Sequence, residues 1–278
     1  MPTAHVNGYD LFYAEDEFTD PGRAPEPVFM QHFVWGSHVQ FNRWVPTLAR
    51  HYRVIRMDRR GNGYSSAPPL DYRYNLEDLL SDFDGFLDAL HLEKVHYVGV
   101  SLGGVLGAAY AATRPERVKS LVLCSTPCWI KSGATTGWSR EGYPDGIAAV
   151  KAMGSKAWAL TGWTRSMPAN PPAEDLMKAV TLSEQTGLMK PHAIASLQQM
   201  VGQRDFDITS MLPQIQAPTL LLSPGNSHTT SLEEQAMMKE TIPNCEQVVF
   251  EGALHFIANE QPDRCSREAL EFIKRHSG

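Results

Sequence analysis

Val95-His96-Tyr97-Val98-Gly99-Val100-Ser101-Leu102-Gly103-Gly104 decides how this 278-residue chain is read. The run Val95–Val100 has the near-continuous apolarity of a strand covered on both faces. From Leu102 to about Ala112 the pattern is helical, and it stops before Pro115. Between the two lies Gly99-x-Ser101-x-Gly103, the G-x-S-x-G spacing in the strand–turn–helix setting that a nucleophile elbow requires. A serine on so tight a turn is strained, and its hydroxyl is pushed out beyond the edge of the sheet. Side chains in place of the flanking glycines would collide with the adjoining strand and helix. The Leu102 N–H, first in the helix, points where an oxyanion would form. Two other glycine-rich turns compete with this reading. A dinucleotide fingerprint wants glycine in place of Ser101, after the first strand of the chain. A phosphate loop wants Gly-Lys-Ser/Thr. Neither fits, so Ser101 is read as a candidate nucleophile rather than an incidental turn residue.

Outward from the elbow, short apolar runs recur at Val28–Met30, Val54–Met57, Leu121–Cys124, Thr219–Leu222 and Gln247–Phe250. Tyr9–Tyr13 reads as part of a hairpin entering the sheet. Helical stretches separate the runs. In the clearest, Asn75 is the N-cap and Glu77 and Asp78 lie in the first turn. Leu76, Leu79, Leu80, Phe83, Leu87 and Leu90 then follow at helical spacing. Another helix covers about Pro262 to His276. Alternation of this kind predicts an α/β fold, with a mostly parallel sheet of about eight strands and helices on both faces. One stretch breaks the rhythm. Residues 127–212 lack a strong strand signal but hold four of the six tryptophans and six of the eleven methionines, punctuated by Gly and Pro. They are expected to form a helical cap inserted into a core domain made of residues 1–126 and 213–278.

Composition narrows the function classes. The net charge of −6 disfavours a basic nucleic-acid binder, and no apolar run reaches transmembrane length. The first residues lack the basic and apolar regions of a secretory signal, so a cytoplasmic location is expected. Four cysteines (Cys124, Cys128, Cys245, Cys265) make neither a disulfide framework nor a zinc site, and no metal or cofactor is expected.

The elbow, the turn Asp58-Arg59-Arg60-Gly61-Asn62-Gly63-Tyr64-Ser65 and the terminal Gly252-Ala253-Leu254-His255 together resemble the α/β-hydrolase family. Within it the chain is similar to the 3-oxoadipate enol-lactonase and small esterase branch, over essentially its whole length. The resemblance implies that His255, just after the last strand, is the catalytic base. It gives the Asp58 turn a structural role. It also implies that the loop after Val28–Met30 supplies a second oxyanion donor. Where the family usually has His-Gly-x, this chain has His32-Phe33-Val34. The Val34 N–H is the expected donor, the Phe33 N–H its rival.

The acid of the triad is missing. The family's strand beginning Pro-Thr-Leu ends in Gly-x-x-Asp, whereas this chain reads Ser223-Pro224-Gly225-Asn226-Ser227-His228. Counting from Pro218 puts Ser227 at the aspartate position; counting from Gly225 puts His228 there. After Leu121–Cys124, the other family location, stands Ser125. Three explanations stay open: a Ser101–His255 pair oriented by a neutral group such as Ser227 or Asn226, a carboxylate from Glu251 or the insertion, or a repurposed site. A neutral orienter lacks the charge that stabilises imidazolium.

Phe33, Trp35 and Trp129 are expected to line the substrate pocket, which suits a hydrophobic or aromatic ligand. The reading is a cofactor-independent serine esterase or lactonase (a carboxylic ester hydrolase) acting through an acyl-enzyme on a small molecule, with neither nucleic acid nor membrane as partner and a homodimer left open. The alternative is non-hydrolytic chemistry or ligand binding in the same pocket.

Overall fold

Strands buried on both faces need helices above and below them, and that requirement shapes the architecture. The computed structural model describes residues 2–22, 24–130, 139–165, 167–202 and 206–278. The chain opens with a hairpin, β1 (Thr3–Val6) and β2 (Tyr9–Asp16), turning at Asn7 and Gly8, both at positive φ. There follow β3 (Pro27–Gln31), the single turn α1 (Val45–Leu48), β4 (Arg53–Met57) and α2 (Leu76–Ala89). Next come β5 (Val95–Val100), α3 (Leu102–Thr113) and β6 (Val118–Cys124). The short strand β7 (Trp129–Ile130) leads into α4 (Gly146–Met153), α5 (Ser155–Thr164), α6 (Ala173–Gly187) and α7 (Pro191–Gly202). After β8 (Phe206–Asp207) the chain closes with β9 (Thr219–Pro224), α8 (Leu232–Thr241), β10 (Cys245–Phe250), the single turn α9 (Ile257–Glu260) and α10 (Pro262–Arg275).

The eight-stranded sheet has the order β1-β2-β4-β3-β5-β6-β9-β10. Only the β1–β2 and β2–β4 pairings are antiparallel. All six residues of β5 and all six of β9 are buried, as strands covered on both faces must be. The Asn75 side chain accepts from the Asp78 N–H at 2.9 Å, so α2 starts at the residue its sequence nominates.

Strand order decides where a site can sit. After β3 the chain goes to its neighbour β4 on one side, then returns to β5 on the other. The crevice beyond the carboxyl ends of β3 and β5 is therefore the switch point where α/β sheets bind ligands. Ser101 and His32-Phe33-Val34 leave the sheet at that crevice.

Helices α4 to α7 lie between β6 and β9, and β7 pairs with β8 rather than with the main sheet. The Ile208 N–H donates to the Cys128 carbonyl at 2.9 Å, bringing the segment's two ends together. Glu234, buried on α8, accepts from the Cys128 N–H at 2.7 Å and anchors the same place to the core. Trp138, counted above in the aromatic load of this stretch, lies outside the described residues. Among the described residues no helix is long and apolar enough to cross a membrane.

Candidate active site

Ser101 sits at φ 51°, ψ −118°, a left-handed conformation that costs a non-glycine residue on the order of 1–3 kcal/mol. Its neighbours hold it there. The Ser101 N–H donates to the Cys124 carbonyl at 3.0 Å, and its own carbonyl accepts from the Gly104 and Val105 N–H groups. A Cβ on Gly99 would stand 2.6 Å from Gly104 Cα, and one on Gly103 would stand 2.6 Å from the His32 carbonyl oxygen. The G-x-S-x-G spacing is thus the spacing at which β5, α3 and the end of β3 can touch.

His255 follows β10 on a loop folded back by Ala253 N–H to the Phe250 carbonyl and by Asn226 N–H to the Ala253 carbonyl. Its Nε2 lies 3.1 Å from Ser101 Oγ. Burial of the ring pushes its pKa down to about 4. On the other side of the ring, Nδ1 faces Ser227 Oγ at 3.4 Å. Asn226, His228 and Glu251 are exposed, so the register counted from Pro218 is the one that faces His255. Ser125 is buried at φ 48°, its hydroxyl without a hydrogen-bond partner among the described residues. Among the described residues no carboxylate hydrogen-bonds or ion-pairs with His255.

The loop after β3 separates its two candidate amides. The Phe33 N–H is occupied, donating to Gln40 Oε1 at 2.9 Å, and Gln40 is in turn held by its own amide to Asn259 at 3.1 Å. The Val34 N–H has no acceptor among the described residues, nor does the Leu102 N–H, and both residues line the cavity beside Ser101. Arg59 shapes this loop from beneath, donating to the His32 carbonyl at 2.7 Å and the Phe33 carbonyl at 2.8 Å. His32 is fully buried, and burial beside that guanidinium keeps its pKa well below the ordinary value. Asp58 accepts from the Tyr64 N–H and takes the backbone and ring of His38, which fits a role in holding the turn.

Above Ser101 is a cavity of about 280 Å³. Of the three aromatic residues named from the sequence, Phe33 and Trp35 line it and Trp129 does not. The Trp129 N–H lies 3.4 Å from Glu234 Oε1, on the β7–β8 ladder, because the pairing of that short ladder carries it away from the elbow. The aromatic walls are instead Trp158 and Trp163, with Phe256 following His255. Trp163 packs edge-on against both Phe33 and Phe256, at 6.4 and 4.8 Å between centroids. Arg140 adds a cationic wall; its Nη2 donates to the Trp158 carbonyl at 2.7 Å. Burial and the nearby Arg165 lower its pKa, though an arginine stays charged.

Comparison with known proteins gives one family. The profile of the alpha/beta hydrolase fold matches residues 26–262. The chain is 28% identical to the 2-hydroxy-6-oxononadienedioate/2-hydroxy-6-oxononatrienedioate hydrolase 2 of Pseudomonas putida, over 92% of this chain and 91% of that protein. It is 24% identical to the 3-oxoadipate enol-lactonase 1 of Acinetobacter baylyi, over 93% and 92%. Among solved structures, the enol-lactonase from Burkholderia xenovorans LB400 superposes with a TM-score of 0.84 at 23% identity, over 98% of this chain and 100% of that one.

Proposed function

We propose that this chain, which belongs to the α/β-hydrolase fold family, is a serine hydrolase of a small carboxylic ester or lactone. The observation that carries the reading is His255 Nε2 at 3.1 Å from Ser101 Oγ, beside a cavity lined by Val34 and Leu102, whose N–H groups have no acceptor among the described residues. Ser101 attacks the carbonyl carbon and its proton passes to His255. The Val34 and Leu102 amides hold the oxyanion. His255 then returns the proton to the leaving oxygen, and water, activated by the same histidine, hydrolyses the acyl-enzyme. Ser227 takes the place of the usual acid as a neutral orienter. Helices α4 to α7 act as a cap that excludes water from the reacting carbonyl.

The cavity suits a small, largely apolar acyl group or ring. Arg140 on its wall favours a substrate that also carries an acid, in keeping with the adipate and dioate in the relatives' names. The four free cysteines suit the reducing cytoplasm.

That no carboxylate among the described residues meets His255 favours a second reading, non-hydrolytic chemistry or ligand binding in the same cavity. Covalent labelling separates the two. A fluorophosphonate is expected to label the wild type at Ser101, and Ser101→Ala is expected to lose the label and several orders of magnitude in turnover on a panel of aryl esters and lactones. Equal labelling of wild type and Ser101→Ala, or no labelling of either, overturns the hydrolase assignment.

A further inference from the structure

The rings that wall the cavity form two groups. Phe256, next in sequence to His255, packs edge-on against the His255 ring at 5.2 Å, against Trp163 at 4.8 Å and against Phe33 at 5.8 Å between centroids. Trp158 packs edge-on against Trp35 at 5.5 Å, and the Arg140 guanidinium carbon lies 4.9 Å from the centre of the Trp158 ring. Helix α5 carries both tryptophans, Trp158 and Trp163, about 7.5 Å apart along its axis. Between them the small residues Ala159 and Gly162 line the cavity. The cavity therefore has an aromatic end beside His255 and an aromatic, cationic end beside Arg140.

The cationic end is built around the guanidinium. Arg140 Nε donates to Thr161 Oγ1 at 2.9 Å, Nη2 to the Trp158 carbonyl at 2.7 Å and Nη1 to the Ser139 carbonyl at 2.8 Å. A Cβ on Gly162 would stand 2.2 Å from Nη2 and 3.1 Å from Cζ. Glycine is a poor choice for a helix interior, and here it leaves room for the guanidinium to lie against α5. Arg140 is buried, and a charge held in one place among aromatic walls selects ligands by sign and by position.

The chemistry at the elbow decides which half of an ester meets which end. His255 returns its proton to the leaving oxygen, so the alcohol half lies on the histidine's side of the reacting carbon. Phe256, Trp163 and Phe33 wall that side. With the carbonyl oxygen at the Val34 and Leu102 amides, the acyl half is left the end where Trp35, next after Val34, meets Trp158 and Arg140. We propose that the substrate is a half-ester of a short dicarboxylic acid with an aromatic alcohol, its free carboxylate on Arg140 and its ring among Phe33, Trp163 and Phe256. Attack by Ser101 breaks the bond from the carbonyl carbon to the leaving oxygen, which takes the proton from His255, and water then releases the diacid from Ser101. Which half is which rests on the hydrolase reading above; the charge preference of the cavity does not.

Two pairs of esters test it. In the wild type, phenyl hydrogen glutarate should exceed its neutral analogue phenyl hexanoate about 30-fold in kcat/KM, mostly through KM. With the carboxylate moved to the alcohol half, para-acetoxybenzoate should do no better than para-isopropylphenyl acetate. Gly162→Ala favours the helix but drives a Cβ into the guanidinium, so Tm should not fall while the glutarate-to-hexanoate ratio drops below about fivefold. Arg140→Gln should bring that ratio to within about twofold of one, and Arg140→Lys, a charge without the fork, should fall between. Equal rates on the first pair in the wild type, a preference for para-acetoxybenzoate, or a ratio that survives Arg140→Gln overturns the assignment. Ser101→Ala holds the ester without cleaving it, and by calorimetry it should bind phenyl hydrogen glutarate about tenfold or more tighter than phenyl hexanoate. Equal binding overturns the cationic end. Selective binding by Ser101→Ala, with neither hydrolysis nor labelling of the wild type, refutes the hydrolase reading instead and leaves the cationic end standing.

Discussion

Ser227→Asp tests the electrostatics of the site most directly. In the wild type His255 is desolvated with no compensating negative charge among the described residues, and its pKa is pushed down to about 4. Ser227 Oγ stands 3.4 Å from Nδ1, so an aspartate there places its charge roughly 4 Å from the ring charge. At an effective dielectric constant of about 20, that separation gives about 4 kcal/mol of attraction, or about 3 pKa units. Imidazolium is favoured, the direction is upward, and the His255 pKa should move from about 4 to about 7. The loop accommodates the new group, because the Thr229 and Thr230 N–H groups that now point at Ser227 would stabilise a carboxylate. Removing the triad charge costs on the order of 10⁴ in turnover where it is native, so restoring it without other adjustment should return about tenfold or more in kcat. The assay is a pH–rate profile on a single aryl ester, from pH 4 to 9, for wild type, Ser227→Asp and Glu251→Gln. The wild type should already be on its plateau by about pH 5.5, whereas Ser227→Asp should still be rising through pH 7. Glu251→Gln should track the wild type, since Glu251 is exposed and is not among the ring's hydrogen-bond partners in the described residues. A collapse of Glu251→Gln, with no gain in Ser227→Asp, would refute this reasoning and make Glu251 the acid.

Two further outcomes follow from the geometry. The unfolded chain protonates His255 near pH 6.5 but the folded one only near 4, so folding stability should fall as pH drops through that window, level off below it, and be fully present above it. The gap corresponds to up to about 3 kcal/mol, read as the pH-dependent difference between urea midpoints of wild type and His255→Gln; parallel curves for the two would remove His255 as the cause. Gly103→Ala should lower Tm by about 5 °C or more, because the new Cβ meets backbone carbonyls at the end of β3 that cannot move aside, whereas an unchanged Tm by scanning calorimetry would mean the strand end yields.

Much of the sheet was legible because its strands announce themselves locally. Val28–Met30, Val54–Met57, Val95–Val100, Leu121–Cys124, Thr219–Leu222 and Gln247–Phe250 all fall inside strands of the main sheet; in the first five the apolarity reflects cover on both faces, whereas Gln247–Phe250 lies on the edge strand and is only partly buried. The close approach of Ser101 and His255 was legible for a related reason. Each sits at the carboxyl end of a strand, and a parallel sheet brings such ends to one edge whatever lies between them in sequence. Trp129 failed that logic. A tryptophan in an insertion is placed by the insertion's own packing, and the two-residue ladder with Phe206–Asp207 has no periodic signal to detect.

The same distinction explains what sequence reading missed at the site. Gln40 settles which amide of the loop after β3 is free, by occupying the Phe33 N–H from seven residues away, and nothing in its local pattern marks it as an acceptor. Arg140, Trp158 and Trp163 come to the cavity through the packing of α5 and its neighbours, which composition hints at but cannot orient. Thr230 was the hardest to foresee. A neutral residue in the aspartate position reads as a defect while the triad is considered as three residues. Once the loop's donors are counted, the question changes from which residue replaces the acid to what a hydroxyl that already receives three donors can offer the histidine. That count requires Thr229 and Thr230 to converge on Ser227 Oγ. The convergence is set by how the chain turns between β9 and α8, beyond what the order of Ser, His, Thr and Thr reveals.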